Sequence, residues 1–163
     1  LKPINPQFFI STRYVNTYAL ISISILLFLL IKLTYSYHGD SFVFINYAVC
    51  TISLFLGMFI FYSIEFLIAS LVFWFRNFSY AGWLAGELTK YSRRPDSIYK
   101  NFFRKTLFTI FPMAMISSVP SRFLIFGVDL KLFLLQIIVT IIFLWITTFI
   151  WKRGLLRYES ASS

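Results

Sequence analysis

Few side chains in this chain have the chemistry for catalysis, and those few stand apart from one another. Glu65 is the one acidic residue in the apolar run from 42 to 75, while Cys50 and His38 are each the single residue of their type. A carboxylate in an apolar helix is costly and usually faces a bundle interior or an aqueous cavity. Glu65 is therefore a candidate for a substrate path or a contact between helices, or for an interfacial, solvated or arginine-paired position.

The spacing of these residues argues against an enzyme. A lone cysteine excludes a disulfide framework, and a lone histidine argues against a histidine metal cluster. An enzyme embedded in the membrane would need clustered acids, a histidine pair or a nucleophile beside a base. The six acids are scattered, and neither HExxH nor the GxxxxGKS/T phosphate loop occurs. We expect no catalytic residue, metal or cofactor in this chain, and an intramembrane enzyme is the least favoured alternative.

The composition points to an α-helical membrane protein. The chain is 59% hydrophobic and only 13% charged, against about 25% charged residues in average globular chains. No charged residue occurs in 14–31, 41–64, 106–121 or 132–151. A helix needs about 20 apolar residues to cross the hydrocarbon core. The sequence predicts an all-α, polytopic helical bundle.

We expect a single transmembrane domain, 1–163, and these charge-free windows divide it into segments. The expected parts are a cytoplasmic or interfacial segment 1–13, spans at about 16–34, 44–74 and 79–92, a broken segment 102–126, a last span 132–151 and a tail 152–163. The net charge of +9 fits Lys and Arg side chains that meet anionic lipid headgroups rather than nucleic acid. Because Lys152, Arg153 and Arg157 follow the last span, the tail is expected in the cytoplasm.

The stretch from Ser79 to Gly127 differs from a simple anchor, because Pro95, Pro112 and Pro120 interrupt it. Proline removes a helical hydrogen bond, and broken helices at membrane depth occur where protein or a water-filled cavity satisfies the freed backbone. Gly82 and Gly86 form a GxxxG pattern that permits close helix packing.

The side of the membrane on which the basic segment 90–105 lies has two solutions. If 79–92 is interfacial, this segment is cytoplasmic and Thr106–Phe126 spans outward, as the positive-inside rule favours. If 79–92 is the deeper part of a span, the basic segment is outside and 102–126 is re-entrant. The basic residues themselves indicate a loop that faces headgroups, or a site for an anionic substrate.

Three segments, in this order, resemble the permease subunits of bacterial ABC-2 type transporters of the six-span kind. Leu1-Lys2-Pro3 resembles the end of the family's L-L-K/R-P element. The block from Glu87 to Gly127 contains ELTKY, RP, SIY and FPMAMISSVPSR, and is similar to the family pattern ELTKYP-x-x-IY followed by PfafisyvPa. The ending WKRGLLRYESASS resembles W-K/R-x-G-L-x-x-Y-x-S-x-x.

The resemblance implies a type V exporter-like transmembrane domain, with re-entrant helices before the last span and two further spans upstream of Leu1. It implies a permease, an exporter rather than an importer, that forms a path with an identical or different second permease in the cell membrane. Separate ATPase subunits would bind ATP and Mg²⁺. The alternative is an assembly or anchoring subunit without transport.

The resemblance also assigns roles to residues. Lys2 and Pro3 would belong to the segment that couples to the ATPase, and Pro95, Pro112 and Pro120 to re-entrant or gate elements. It favours the second topology, with re-entrant helices on the outer side.

Overall fold

The computed structural model describes residues 6–12, 17–38, 44–75 and 79–162. Every regular element in these ranges is helical, so the expected all-α class is confirmed. Lys2 and Pro3 lie outside the described residues. The chain divides into two compact units, 1–42 and 43–163.

The described residues of the first unit form α1 (Pro6–Thr12) and α2 (Thr17–His38). The α2 helix includes the apolar segment Ile21–Ser36. Its Thr34 hydroxyl donates to the Leu30 carbonyl of the same helix. Such bonding to the preceding turn satisfies a hydroxyl group without another chain segment.

The second unit is built around α3 (Phe44–Ser70), which continues as a 3₁₀ turn (Leu71–Phe73). The remaining helices are α4 (Ala81–Ser92), α5 (Asn101–Thr109), α6 (Ala114–Phe126) and α7 (Leu130–Ser162), with a second 3₁₀ turn at Asp96–Ile98 before α5. The α3 helix packs mainly against α6 and α7, and also contacts α4. In the described ranges, Phe44–Phe73 and Leu130–Arg157 are long and apolar enough to cross a membrane.

Small and weakly polar residues form much of the buried face of α3, whereas its exposed face is large and apolar. The buried face includes Cys50, Ser53, Gly57, Ile60, Ser63 and Ser70. The exposed face includes Ile52, Phe55, Met58 and Phe59. Helices in lipid often pack through small residues, because lipid tails are as apolar as leucine and the hydrophobic effect does not drive large groups inward. Ile64, Phe66 and Ile68 are also buried on this face, where they contribute van der Waals packing.

The α3 and α6 helices approach each other closely at Gly57. A Cβ atom on Gly57 would lie 2.9 Å from the backbone oxygen of Ile116, so only glycine fits this crossing. Pro120 stands four residues after Ile116 inside α6 and has no N–H to donate to that oxygen. The Ile116 carbonyl, released from its usual helical partner, therefore packs on the glycine of the neighbouring helix.

The α5 and α6 helices form a bent pair whose axes differ in direction by 99°. Pro112 lies in the turn between them and is buried. Gly127 ends α6 with a φ of 86°, a conformation that glycine adopts without strain. Asp129 then caps α7, since its Oδ1 atom accepts hydrogen bonds from the backbone N–H groups of Lys131 at 2.9 Å and Leu132 at 3.3 Å.

Candidate functional site

The three prolines of the interrupted stretch have different local roles. Pro95 directly precedes the 3₁₀ turn that follows α4 and has an extended backbone, with φ −58° and ψ 137°. Pro112 lies at the bend between α5 and α6, whereas Pro120 lies within α6, which continues through it to Phe126. The assignment of all three to a gate stays a prediction.

Glu65 takes part in a contact between helices. It is half-buried on α3, and its Oε1 atom accepts a hydrogen bond of 3.2 Å from the Thr89 hydroxyl on α4. The same hydroxyl lies 2.8 Å from the carbonyl oxygen of Ala85. Among the described residues no ion pair involves Glu65. A role in a substrate path remains a prediction.

Gly82 and Gly86 are not packed against other described segments of the chain. A Cβ atom at either position would have no described atom within 4 Å. By contrast, a Cβ on Gly154 of α7 would overlap the ring of Phe73. Among the described glycines, Gly57 and Gly154 therefore make close contacts with other segments, whereas the two glycines of the GxxxG pattern in α4 do not.

A buried polar contact joins α3, α6 and α7. The Gln136 side chain is fully buried, and its Nε2 donates to the backbone oxygens of Ser53 at 3.0 Å and Met115 at 3.1 Å. The Ser53 hydroxyl donates to Gln136 Oε1 at 2.6 Å. The amide is thus satisfied on both ends, as a polar group away from water requires.

A cluster of charged side chains in the second unit centres on Asp96, in the 3₁₀ turn before α5. Its carboxylate accepts hydrogen bonds from Arg104 Nε at 2.7 Å and from Arg122 Nη2 at 2.6 Å. The residue is only 4% exposed. Its backbone N–H donates to the Ser118 hydroxyl oxygen at 3.3 Å. Asp96 therefore joins the α4–α5 link, α5 and α6.

The two arginines keep this carboxyl group ionised. Burial acts to raise the pKa of Asp96, but the hydrogen bonds and positive charges of Arg122 and Arg104 outweigh burial and hold the pKa below its ordinary value of 3.8. The arginine side chains are about one-third exposed, at 38% for Arg104 and 33% for Arg122. The cluster is consequently a partly solvated ionic link rather than a dry salt bridge.

An open pocket of about 660 Å³ lies beside this cluster. We call it the arginine pocket. One wall is the α4–α5 link from Arg93 to Ser97, and the other is the face of α6 from Ser117 to Phe126. The Ser117 hydroxyl donates to the backbone oxygen of Ser92 and so holds the end of α4 against α6. The pocket presents cationic and hydroxyl groups beside the apolar side chains of Ile125 and Phe126.

Sequence reasoning recognised the basic segment but not this arrangement. The one local signal was Asp96, an acid among the arginines and lysines of 90–105. Its partner Arg122 is 26 residues further along the chain. Spacing alone cannot reveal such a pair because it forms only when the α4–α5 link docks on α6.

Comparison with known proteins gives one finding for the whole chain. A family described as "ABC-2 family transporter protein" matches residues 1–162. No curated protein and no solved structure matches.

Proposed function

The chain belongs to the ABC-2 family of transporter proteins, and we propose that it is the permease subunit of an exporter. Membership makes the protein a membrane component of an ABC transporter. In this proposal two permeases, identical or different, form a substrate path between them in the cell membrane. Separate ATPase subunits bind ATP and Mg²⁺ and drive the permeases between inward-open and outward-open states.

The family match over residues 1–162 is the observation that carries this proposal. The helices Phe44–Phe73 and Leu130–Arg157 are consistent with it, because both are apolar and long enough to span a bilayer. A protein that only anchored a complex would have no need of a bent helix pair, yet α5 and α6 turn by 99° around the buried Pro112. We propose that this pair is re-entrant and borders the substrate path.

Coupling to the ATPase is assigned to the start of the chain. In this proposal Lys2 and Pro3 belong to the cytoplasmic segment that contacts the ATPase. The tail 152–163 is placed in the cytoplasm because Lys152, Arg153 and Arg157 follow the last span and positive charges favour that side.

Affinity purification of the tagged chain from its native membrane tests the proposal. An ATP-binding cassette ATPase should co-purify, and the purified complex should hydrolyse ATP in a vanadate-sensitive manner. An unrelated tagged membrane protein from the same host is the control. Absence of an ATPase would leave the anchoring alternative, and turnover of lipid or peptide by the chain alone would indicate an enzyme.

Cysteine labelling separates the two topologies. Cys50 is the single cysteine of residues 1–163, so a Cys50→Ser background removes the native thiol from this part of the protein. Ser97→Cys places a thiol in the exposed part of the α4–α5 link, and Ser163→Cys reports on the tail. We expect a membrane-impermeant maleimide applied outside the cell to label Cys at 97 but not at 163. Labelling of neither position from outside would favour the cytoplasmic basic segment.

A further inference from the structure

The arginine pocket contains more positive charge than its own carboxylate balances. Its lining residues include Arg93, Arg94 and Arg122 against the single acid Asp96, so their formal charges sum to +2. Asp96 is already engaged by Arg122 and by the adjacent Arg104. Within the described ranges, Arg93 and Arg94 are exposed and have no ion pair or hydrogen bond through their side chains. The pocket is therefore suited to an anion.

The walls of the pocket are held in place before any ligand arrives. Asp96 fixes the guanidinium of Arg122 through one of its five N–H donors, which leaves donors available. The Asp96 N–H to Ser118 bond and the Ser117 to Ser92 bond attach the α4–α5 link to α6. Because these groups are ordered in advance, a ligand loses less free energy to ordering them.

The edge of the pocket is apolar. Ile125 and Phe126 follow Arg122 by three and four residues, so they lie on the same side of α6, one turn further along. Both are exposed, Phe126 to 84%. A small hydrophilic anion would make no use of these side chains, whereas the acyl part of a lipid would cover them.

We propose that the arginine pocket binds the phosphate group of an anionic phospholipid, with the beginning of an acyl chain against Ile125 and Phe126. Arginine suits this role because its planar N–H groups match phosphate oxygens in bidentate geometry. The volume of about 660 Å³ is within the range of small-molecule sites, about 300–1,000 Å³. The proposal does not depend on the direction of transport or on which partner supplies ATP hydrolysis.

The experiment measures binding of phosphatidylglycerol and of phosphatidylcholine to the purified protein, with its natural partners, in a neutral detergent. Native mass spectrometry counts the retained lipids. The test variant is Arg93→Gln with Arg94→Gln. The matched control is Lys100→Gln with Lys105→Gln, which removes the same charge from exposed positions nearby that do not line the pocket.

We expect the arginine variant to bind phosphatidylglycerol about tenfold more weakly, because it loses charge-assisted hydrogen bonds to the phosphate group. The loss is limited because both arginines are exposed to solvent, which weakens each of these bonds. The lysine variant should change binding by less than about threefold. Equal losses in both variants, or none in the arginine variant, would overturn the proposal.

A second arm distinguishes a lipid from free phosphate. Phe126→Ser should weaken binding of phosphatidylglycerol, because it removes apolar surface at the edge of the pocket. Inorganic phosphate is then added as a competitor. If it binds to the pocket and displaces the lipid equally well from wild type and from Phe126→Ser, the lipid assignment is overturned. Unchanged elution volume and melting temperature of each variant establish that the fold is intact.

Discussion

Replacing Asp96 by asparagine should destabilise the second unit by about 2 kcal/mol. The substitution keeps the size of the side chain and removes its charge. Asparagine offers one acceptor oxygen in place of a carboxylate, so the hydrogen bonds from Arg104 at 2.7 Å and Arg122 at 2.6 Å lose their ionic character. Both bonds cross between segments that are separate in sequence, so their loss acts on tertiary packing.

The magnitude follows from the exposure of the partners. A hydrogen bond to a charged group contributes about 1.5–3 kcal/mol, and breaking a fully buried ion pair costs about 3–5 kcal/mol. Here the carboxylate is buried, but the Arg104 and Arg122 side chains are 38% and 33% exposed and can turn to solvent. We therefore assign about 1 kcal/mol to each bond.

The assay is unfolding of the purified protein in detergent, followed by tryptophan fluorescence and repeated across pH. Because the pKa of Asp96 is lower in the folded state than its ordinary 3.8, its ionised form stabilises the fold. That contribution is complete above about pH 5, decreases as the pH approaches and passes the ordinary pKa, and is lost as the pH falls through the lower folded pKa. The difference between wild type and Asp96→Asn should be constant from neutral pH to about pH 5 and shrink at more acidic pH.

Glu87→Gln is the matched control for this prediction. It removes a carboxylate from an exposed pair with Lys90, three residues away on α4, and should cost no more than about 0.5 kcal/mol. Equal effects of Asp96→Asn and Glu87→Gln would refute the reasoning. So would a difference between wild type and Asp96→Asn that grew as the pH fell.

Two further predictions concern the contacts of α3 with α6 and α7. Gln136→Leu removes three hydrogen bonds at about 0.6 kcal/mol each in a membrane protein and should cost about 2 kcal/mol of unfolding free energy. Thr148→Val, whose hydroxyl donates within α7, should cost less than half as much, and equal costs would contradict a role for Gln136 between helices. Gly57→Ala should lower the melting temperature because its Cβ would meet the Ile116 carbonyl at 2.9 Å. Gly82→Ala is the control: its Cβ would enter open space, so the variant should be neutral or stabilised by up to about 1 kcal/mol from helix propensity. If Gly82→Ala were the less stable of the two variants, α3 and α6 would not be in close contact at Gly57.

The packing glycines illustrate the limit of sequence patterns in this chain. The GxxxG motif of Gly82 and Gly86 permits close helix packing, but among the described residues it is Gly57 and Gly154 that closely contact other segments. A glycine marks where a helix can approach another backbone, but only the path of that second helix decides whether it does.

The interrupted stretch shows a similar division. Three prolines predicted broken helices, and a turn does separate α5 from α6 around Pro112. Pro120 behaves differently, since α6 passes through it, and the Ile116 carbonyl, to which Pro120 has no N–H to donate, lies against Gly57 of α3. The effect of a proline on its helix thus depends on the surroundings of the carbonyl oxygen that it leaves without a helical hydrogen bond.

The amino-acid sequence indicates an all-α membrane protein, because long charge-free windows are a local property of the chain. The order of its motifs indicates the ABC-2 family, which the match over residues 1–162 shows. Tertiary structure decided which face of each helix is buried and which charges meet. The lipid and the protein interior are both apolar. The hydrophobic pattern of α3 and α7 therefore says little about which face of each helix packs against protein and which faces lipid. The partners of Asp96 come from two other segments, and their meeting depends on the docking of the α4–α5 link against α6.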